Sequence, residues 1–373
     1  MRAKRDLHLN NGVCTTAPAR SSPHIRPSSY QDSRSSPLRY PADEFVGFSR
    51  YSTVKSIRKR AILSTMRATN LMPRFAVATG VSFVMFCARL PAQDLEPRAY
   101  SNSPIGLHFV LVGYAYSTGK LLTDPSLPVE NVSIASHVGV LGGATVVNVL
   151  GQSAKLELVI PYVELGAKGE VFGIPHARYI DGLGDPFFRF SMNFIGAPAL
   201  TAAEFSKYRQ NFILGGSIRI GVPLGQYDDN RLVNVGSSRW SVKPEIGFSK
   251  AFGNWTFELA PAVTFYTDND DFFGGSTREQ APLYSAQAHV SCTFRPGLWL
   301  GIDAAYYNGG RTTVNDVEND DRLEGMRFGL TLALPVNRYH SVKLYAATGL
   351  NADRHHDFEG LGIAWQTRWG GGY

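Results

Sequence analysis

From about residue 105 to its end this chain alternates apolar and polar residues with a period of two, and that rhythm fixes what it can fold into. In Asn254–Tyr266, residues Trp255, Phe257, Leu259, Pro261, Val263 and Phe265 share one phase, and Thr256, Glu258, Ala260, Ala262 and Thr264 the other. Arg239–Ser249 and Tyr284–Arg295 repeat the pattern. Successive side chains of a strand point to opposite faces, so each segment reads as a strand with one oily and one polar face.

Twelve such segments are predicted, near 105–116, 131–149, 153–163, 184–195, 210–222, 238–249, 254–266, 283–294, 298–307, 322–334, 339–349 and 359–369. Soluble sandwich strands usually have about 5–6 residues, whereas a tilted strand crossing a bilayer needs roughly 9–11. The connections alternate too. Polar stretches at 117–130, 164–183, 223–237, 267–282, 308–321 and 350–358 read as long loops, and Gly151-Gln152, Gly253 and Pro296-Gly297 as tight turns. The remaining connection, 196–209, contains Ala202-Ala203-Glu204-Phe205, a candidate short helix. Long loops on one side, short turns on the other and an even strand number are the layout of an outer-membrane barrel. The expectation is an all-β, transmembrane antiparallel β-barrel of about twelve strands spanning 93–373.

Placing Lys or Arg on the lipid face at mid-bilayer costs roughly 2–4 kcal/mol. Charged residues in the strands are therefore expected inside. Arg189, Arg219, Lys243, Glu245, Glu258, His289, Asp303, Arg327 and Lys343 are the channel-lining candidates, with Lys155, Glu157 and Arg368 in the same phase class. Tyr116, Tyr162, Trp240, Trp255, Tyr266, Tyr284, Tyr306 and Trp369 fall toward strand ends, where interfacial girdles lie.

The front of the chain differs. Residues 1–65 hold 12 Lys/Arg and 4 Asp/Glu among many Ser and Pro, a composition that reads as a disordered basic extension and as an over-long start of translation. Residues 66–92 have the basic flank, apolar run (Phe75–Ala88) and small-residue exit of a signal peptide. The run's 14 residues fall short of the roughly 20 that a spanning helix needs. From Gln93 onward there are 22 Lys/Arg and 27 Asp/Glu, so the bulk is acidic and nucleic-acid binding is excluded as a reading of the overall +6. Gln93–Ser103 is expected to be too short to form a plug.

Few chemical motifs stand out. Cys14, Cys87 and Cys292 support neither a disulfide framework nor a cysteine zinc site. Gly182-Leu183-Gly184-Asp185 lacks the third glycine of a nucleotide fingerprint. His355-His356 has no third ligand spaced around it, and the 267–275 loop reads as a solvated acidic loop or as a contact for Ca²⁺ or divalent-bridged lipopolysaccharide. His289, Ser291 and Gln287 share a phase, which leaves a barrel hydrolase open, but neighbours two apart on one strand stand side by side rather than converging. No cofactor is expected.

Several segments resemble one family: Leu183-Gly184-Asp185-Pro186, Ile195–Leu200, Val222-Pro223-Leu224-Gly225-Gln226-Tyr227, Gly236–Gly247 and Thr267-Asp268-Asn269-Asp270. They are similar to the bacterial outer-membrane transporters described as "Putative MetA-pathway of phenol degradation". The resemblance implies an outer-membrane channel for passive uptake of small organic solutes, phenol-like aromatics among them, and no enzyme. Implied partners are outer-membrane lipid and lipopolysaccharide, the solute, and the barrel-assembly machinery during biogenesis. The alternatives are a structural or adhesive barrel with a plugged lumen and a barrel hydrolase.

Overall fold

In the computed structural model, strands β1 (Leu107–Lys120), β2 (Val129–Val149) and β3 (Gln152–Val171) lead into β4 (Ile174–Leu183) and β5 (Phe187–Ile195). A short helix, α1 (Ala202–Phe205), precedes β6 (Phe212–Gly221), β7 (Ser241–Phe252) and β8 (Trp255–Tyr266). Next come β9 (Asn269–Phe272), β10 (Ser276–Gln280), β11 (Leu283–Arg295), β12 (Leu298–Gly309), β13 (Thr312–Val314) and β14 (Val317–Glu318). The last three are β15 (Leu323–Pro335), β16 (His340–Leu350) and β17 (Phe358–Gly370). The structure describes residues 95–120, 129–171, 173–231, 233–350 and 358–372. The basic extension, the signal peptide and His355-His356 lie outside the described residues.

The main sheet is antiparallel and closes on itself, because β1 pairs with β2 on one side and with β17 on the other. Twelve positions make the ring. β4 and β5 share one of them: β4 pairs with Tyr162–Val171 of β3, and β5 with Ala154–Val159. Closure matters because an open edge would leave backbone groups unpaired in hydrocarbon. The turns agree with the expected alternation. Leu150 and Gly151, with φ of 53° and 79°, form the two-residue link between β2 and β3, the positive-φ pair that matches strand twist in a hairpin.

The outer face is apolar. Val112, Leu141, Phe188, Ile246, Leu259, Ile302, Leu330 and Ile363 are exposed in isolation, while Arg189, Lys243, Glu245 and Asp303 are nearly inaccessible. Trp240, Trp255, Tyr284, Tyr306 and Trp369 are exposed near strand ends, and Tyr162, also exposed, lies midway along β3, which runs on past it. Tyr266 departs from the expected girdle. It occupies the inner phase, packs on the buried Leu283–Tyr307 cluster and lies under the Arg239 guanidinium.

A second correction concerns 164–183, expected as a loop. It is a hairpin: β3 runs on to Val171, turns at Gly173 (φ 73°) and returns as β4. Twenty residues at ~3.3 Å each reach ~66 Å, well beyond an apolar band about 25 Å tall. Above that band no face meets lipid, so the hydrogen-bond ladder continues while the hydrophobic alternation fades. For the same reason 267–282 and 308–321 hide strands; β9, β10, β13 and β14 pair into a separate four-stranded sheet. The candidate helix at 202–205 is present. A Thr201–Glu204 capping box starts it, and the Thr201 N–H and hydroxyl hold the Glu204 carboxyl below its ordinary pKa.

Candidate functional site: the barrel interior

Strand register lines up the interior charges. Glu157 stands opposite Arg189, Arg189 opposite Arg219, and Arg219 opposite Lys243, so β3, β5, β6 and β7 carry one row with three adjacent cations. Like charges directly opposite each other destabilise a sheet. The wall supplies part of the compensation: Glu245 Oε1 lies 3.5 Å from Arg189 and its Oε2 3.4 Å from Lys243 Nζ, and Glu157 lies 3.6 Å from Arg189.

The adjoining wall, reached through the β7–β8 pairing, has a second row. Glu258 of β8 faces His289 of β11, which faces Asp303 of β12. His289 Nδ1 is 2.8 Å from Asp303 Oδ1, and the Thr331 hydroxyl donates to Asp303 Oδ2 at 2.7 Å. This row is satisfied within the wall apart from Glu258.

A feature absent from the sequence reading joins the two rows. Residues 95–103 enter the barrel rather than leaving it, so the expectation that this stretch was too short for a plug is overturned. Length was the wrong criterion, because an unfolded strap needs only one side chain per contact where a plug domain needs a core. Glu96 places Oε2 on the Arg189 guanidinium and Oε1 3.6 Å from Arg219, and its N–H donates to Gln287 Oε1 at 3.0 Å. Arg98 N–H donates to Glu258 Oε2 at 2.6 Å. Its guanidinium donates to Ser291 (3.1 Å) and Thr293 (2.5 Å) and lies 4.8 Å over the Trp299 ring. Lys155 Nζ donates to the Ala99 carbonyl at 2.6 Å. The Tyr100 hydroxyl donates to Glu245 Oε1 at 2.9 Å.

Two observations show that the wall is shaped for this strap. A Cβ on Gly247 would lie 2.0 Å from the Tyr100 ring, and one on Gly329 would lie 2.5 Å from Leu95. Both positions are slots where any larger residue would collide. Arg98 also takes φ 65°, a left-handed conformation that costs a non-glycine residue about 1–2 kcal/mol and persists only where its surroundings hold it.

Among the sequence-predicted lining residues, the structure therefore brings Arg189, Arg219, Lys243 and Glu245 together on one wall and Glu258, His289 and Asp303 on the other. Arg327 is buried on β15 opposite Ala305, and Lys343 of β16 lies 6.0 Å from the Trp299 ring; neither joins a row. Ser291, the partner a hydrolase would need for His289, is bonded to Arg98 instead. Among the described residues no group of three or more His, Cys, Asp or Glu is placed to hold a metal ion.

The long-loop end is organised by Asp185, which also escaped the sequence reading. Its carboxylate accepts from Gly225 N (2.9 Å), Ser237 N (2.8 Å) and Ser237 Oγ (2.6 Å), tying 225–237 to the break between β4 and β5. Asn269 donates to the Tyr227 hydroxyl and the Ser237 carbonyl. Beside them Arg239 donates to Gln280. Burial and the neighbouring Arg278 lower the Arg239 pKa to about 10. The Gly-Asp-Pro interruption of the alternation at 184–186 was the available signal.

The family model described as "Putative MetA-pathway of phenol degradation" matches residues 125–367. The chain belongs to that family. Among solved structures it resembles the COG4313 outer membrane channel from Pseudomonas putida F1, with a TM-score of 0.63 at 22% identity over 74% of this chain and all of that one. The β domain of the Bordetella autotransporter BrkA gives 0.45 at 10% identity, covering 71% of this chain and all of its own. The P. putida toluene transporter TodX gives 0.36 at 9%, covering 72% of this chain and 93% of its own. Only the first likeness is close enough to bear on the fold, and it agrees with the closed twelve-strand barrel. No curated protein matches the chain. The protein is an outer-membrane β-barrel with the fold of a channel, so its short-turn end faces the periplasm and its long-loop end the exterior.

Proposed function

We propose that the barrel passes small organic solutes, aromatic acids and phenols among them, down their gradient across the outer membrane, without catalysis. The observation that carries this reading is the interior itself: a cationic row on β5, β6 and β7 and an acidic row on β8, β11 and β12 adjoin along the inside of a closed ring of strands. A low-dielectric wall focuses the field of such rows and raises the local concentration of a complementary solute. Arg189, Arg219, Lys243 and Arg327 supply the attraction, and Glu258, His289 and Asp303 form the row beside the cationic one. Family membership supports the substrate class.

Passage requires the strap to move, since residues 95–103 cross the lumen, from Leu95 at Gly329 of β15 to Ala99 at Lys155 of β3. The same observation favours a second reading, a permanently closed barrel whose outer loops make contacts. Liposomes containing the purified protein should swell with benzoate faster than protein-free liposomes and faster than with a sugar of similar size, and planar bilayers should show discrete openings. A closed barrel would give no swelling beyond that of protein-free liposomes and no openings.

A further inference from the structure

We propose that Arg189, Arg219 and Lys243 form a carboxylate-binding site for the conducted solute, and that Glu96 of the chain itself occupies it as an internal competitor. The solute class is then a monocarboxylate with a flat apolar body. This rests on the channel reading and narrows it, placing aromatic acids ahead of phenols.

Three observations lead there. Arg189, Arg219 and Lys243 are consecutive cross-strand neighbours, so the wall concentrates more positive charge than a sheet tolerates without an anion. The wall carboxylates Glu157 and Glu245 answer it only in part. What completes it is a carboxylate from outside the wall, with one oxygen on Arg189 and the other facing Arg219. Guanidinium pairs present such forked geometry to carboxylates in general, so the contact that holds Glu96 would hold any carboxylate of similar size.

An apolar surface adjoins this site. Phe187 shares the inner phase with Arg189, one step toward the exterior, and the Arg219 guanidinium lies 3.5 Å from the centre of its ring. A solute arriving from outside meets this ring before the cations, and an aromatic acid could place its ring at Phe187 with its carboxylate on the row.

The third observation is that Glu96 is held in a way that permits exchange. Residues 95–103 form no ladder with the barrel. They are attached through individual side-chain bonds, and Arg98 is strained while they are. A soluble carboxylate that takes the row removes the strap's main charged contact with β5 and β6. Solute binding and strap release are then one competition, and the ligand that opens the lumen is the one conducted.

Calorimetric titration of the full chain in detergent with benzoate, and with benzyl alcohol as the uncharged analogue, tests this. Glu96→Gln keeps the side chain's size and lies off the wall, so it leaves the barrel assembled. It should bind benzoate about tenfold more tightly than the unaltered protein, equivalent to ~1.4 kcal/mol, with benzyl alcohol unchanged. Arg189→Gln combined with Arg219→Gln should abolish benzoate binding. Equal benzoate affinity with and without Glu96→Gln, or equal binding of the alcohol, overturns the proposal. Liposome flux separates it from the channel reading. Discrete openings in planar bilayers with no gain of benzoate flux in Glu96→Gln overturn the carboxylate site and leave the channel. Tighter benzoate binding with no benzoate flux above that of protein-free liposomes and no openings upholds the site and overturns the channel.

Discussion

The two interior walls handle charge differently. On β8, β11 and β12, Asp303 is bonded to His289 on its own row and to Thr331 on the next strand, so the wall satisfies most of its own polar groups. On β5, β6 and β7 three cations stand side by side and draw part of their compensation from Glu96, which belongs to no strand. A self-satisfied wall is a structural element. A wall that borrows its counterion from a detachable segment has a vacancy built into it, and a solute can use that vacancy.

The largest expected effect tests the self-satisfied wall. Asp303→Ala leaves His289 and Thr331 buried without their acceptor and should lower stability by about 2–3 kcal/mol, read as an earlier denaturant midpoint for the folded barrel. Its effect on the strap should be small. Next comes the slot on the other side: Gly247→Val forces a side chain into the Tyr100 ring, and overpacking of this kind costs about 1–3 kcal/mol. Because the strap can leave, the strain should expel it. Tryptic cleavage at Arg98 in the folded protein should quicken by roughly tenfold or more, while the barrel keeps its heat-modifiable mobility on gels. The smallest change is Tyr100→Phe, which removes one hydrogen bond to Glu245 worth about 1 kcal/mol. Cleavage at Arg98 should quicken only a few-fold. Equal rates for the two variants would mean that the strap is not held where the structure puts it.

The period-two pattern located the wall strands well, because between the interfaces lipid forces every second residue to be apolar. It failed where that force stops. Glu164–Val171 and Ile174–Leu183 are strands above the apolar band, and with no hydrocarbon outside them nothing imposes alternation. The interior charges were legible one by one, since none could face lipid, but their grouping into rows depends on register, which the alternation alone does not set. The strap was legible least. Glu96, Arg98 and Tyr100 have no periodicity, and their meaning comes from partners 93 to 195 residues away in the chain. The nearest signals were inner-phase glycines such as Gly247 and Gly329, where a strand leaves room for another part of the chain.

Ion selectivity tests the borrowed-counterion account most directly. Reversal potentials across planar bilayers under a salt gradient, measured for the unaltered protein and for Glu96→Gln, report the net charge that a permeating ion meets at the row. Removing the Glu96 charge should raise conductance and shift the reversal potential toward anion selectivity, because Arg189, Arg219 and Lys243 lose their detachable partner. Identical conductance and reversal potential for the two proteins would contradict the account.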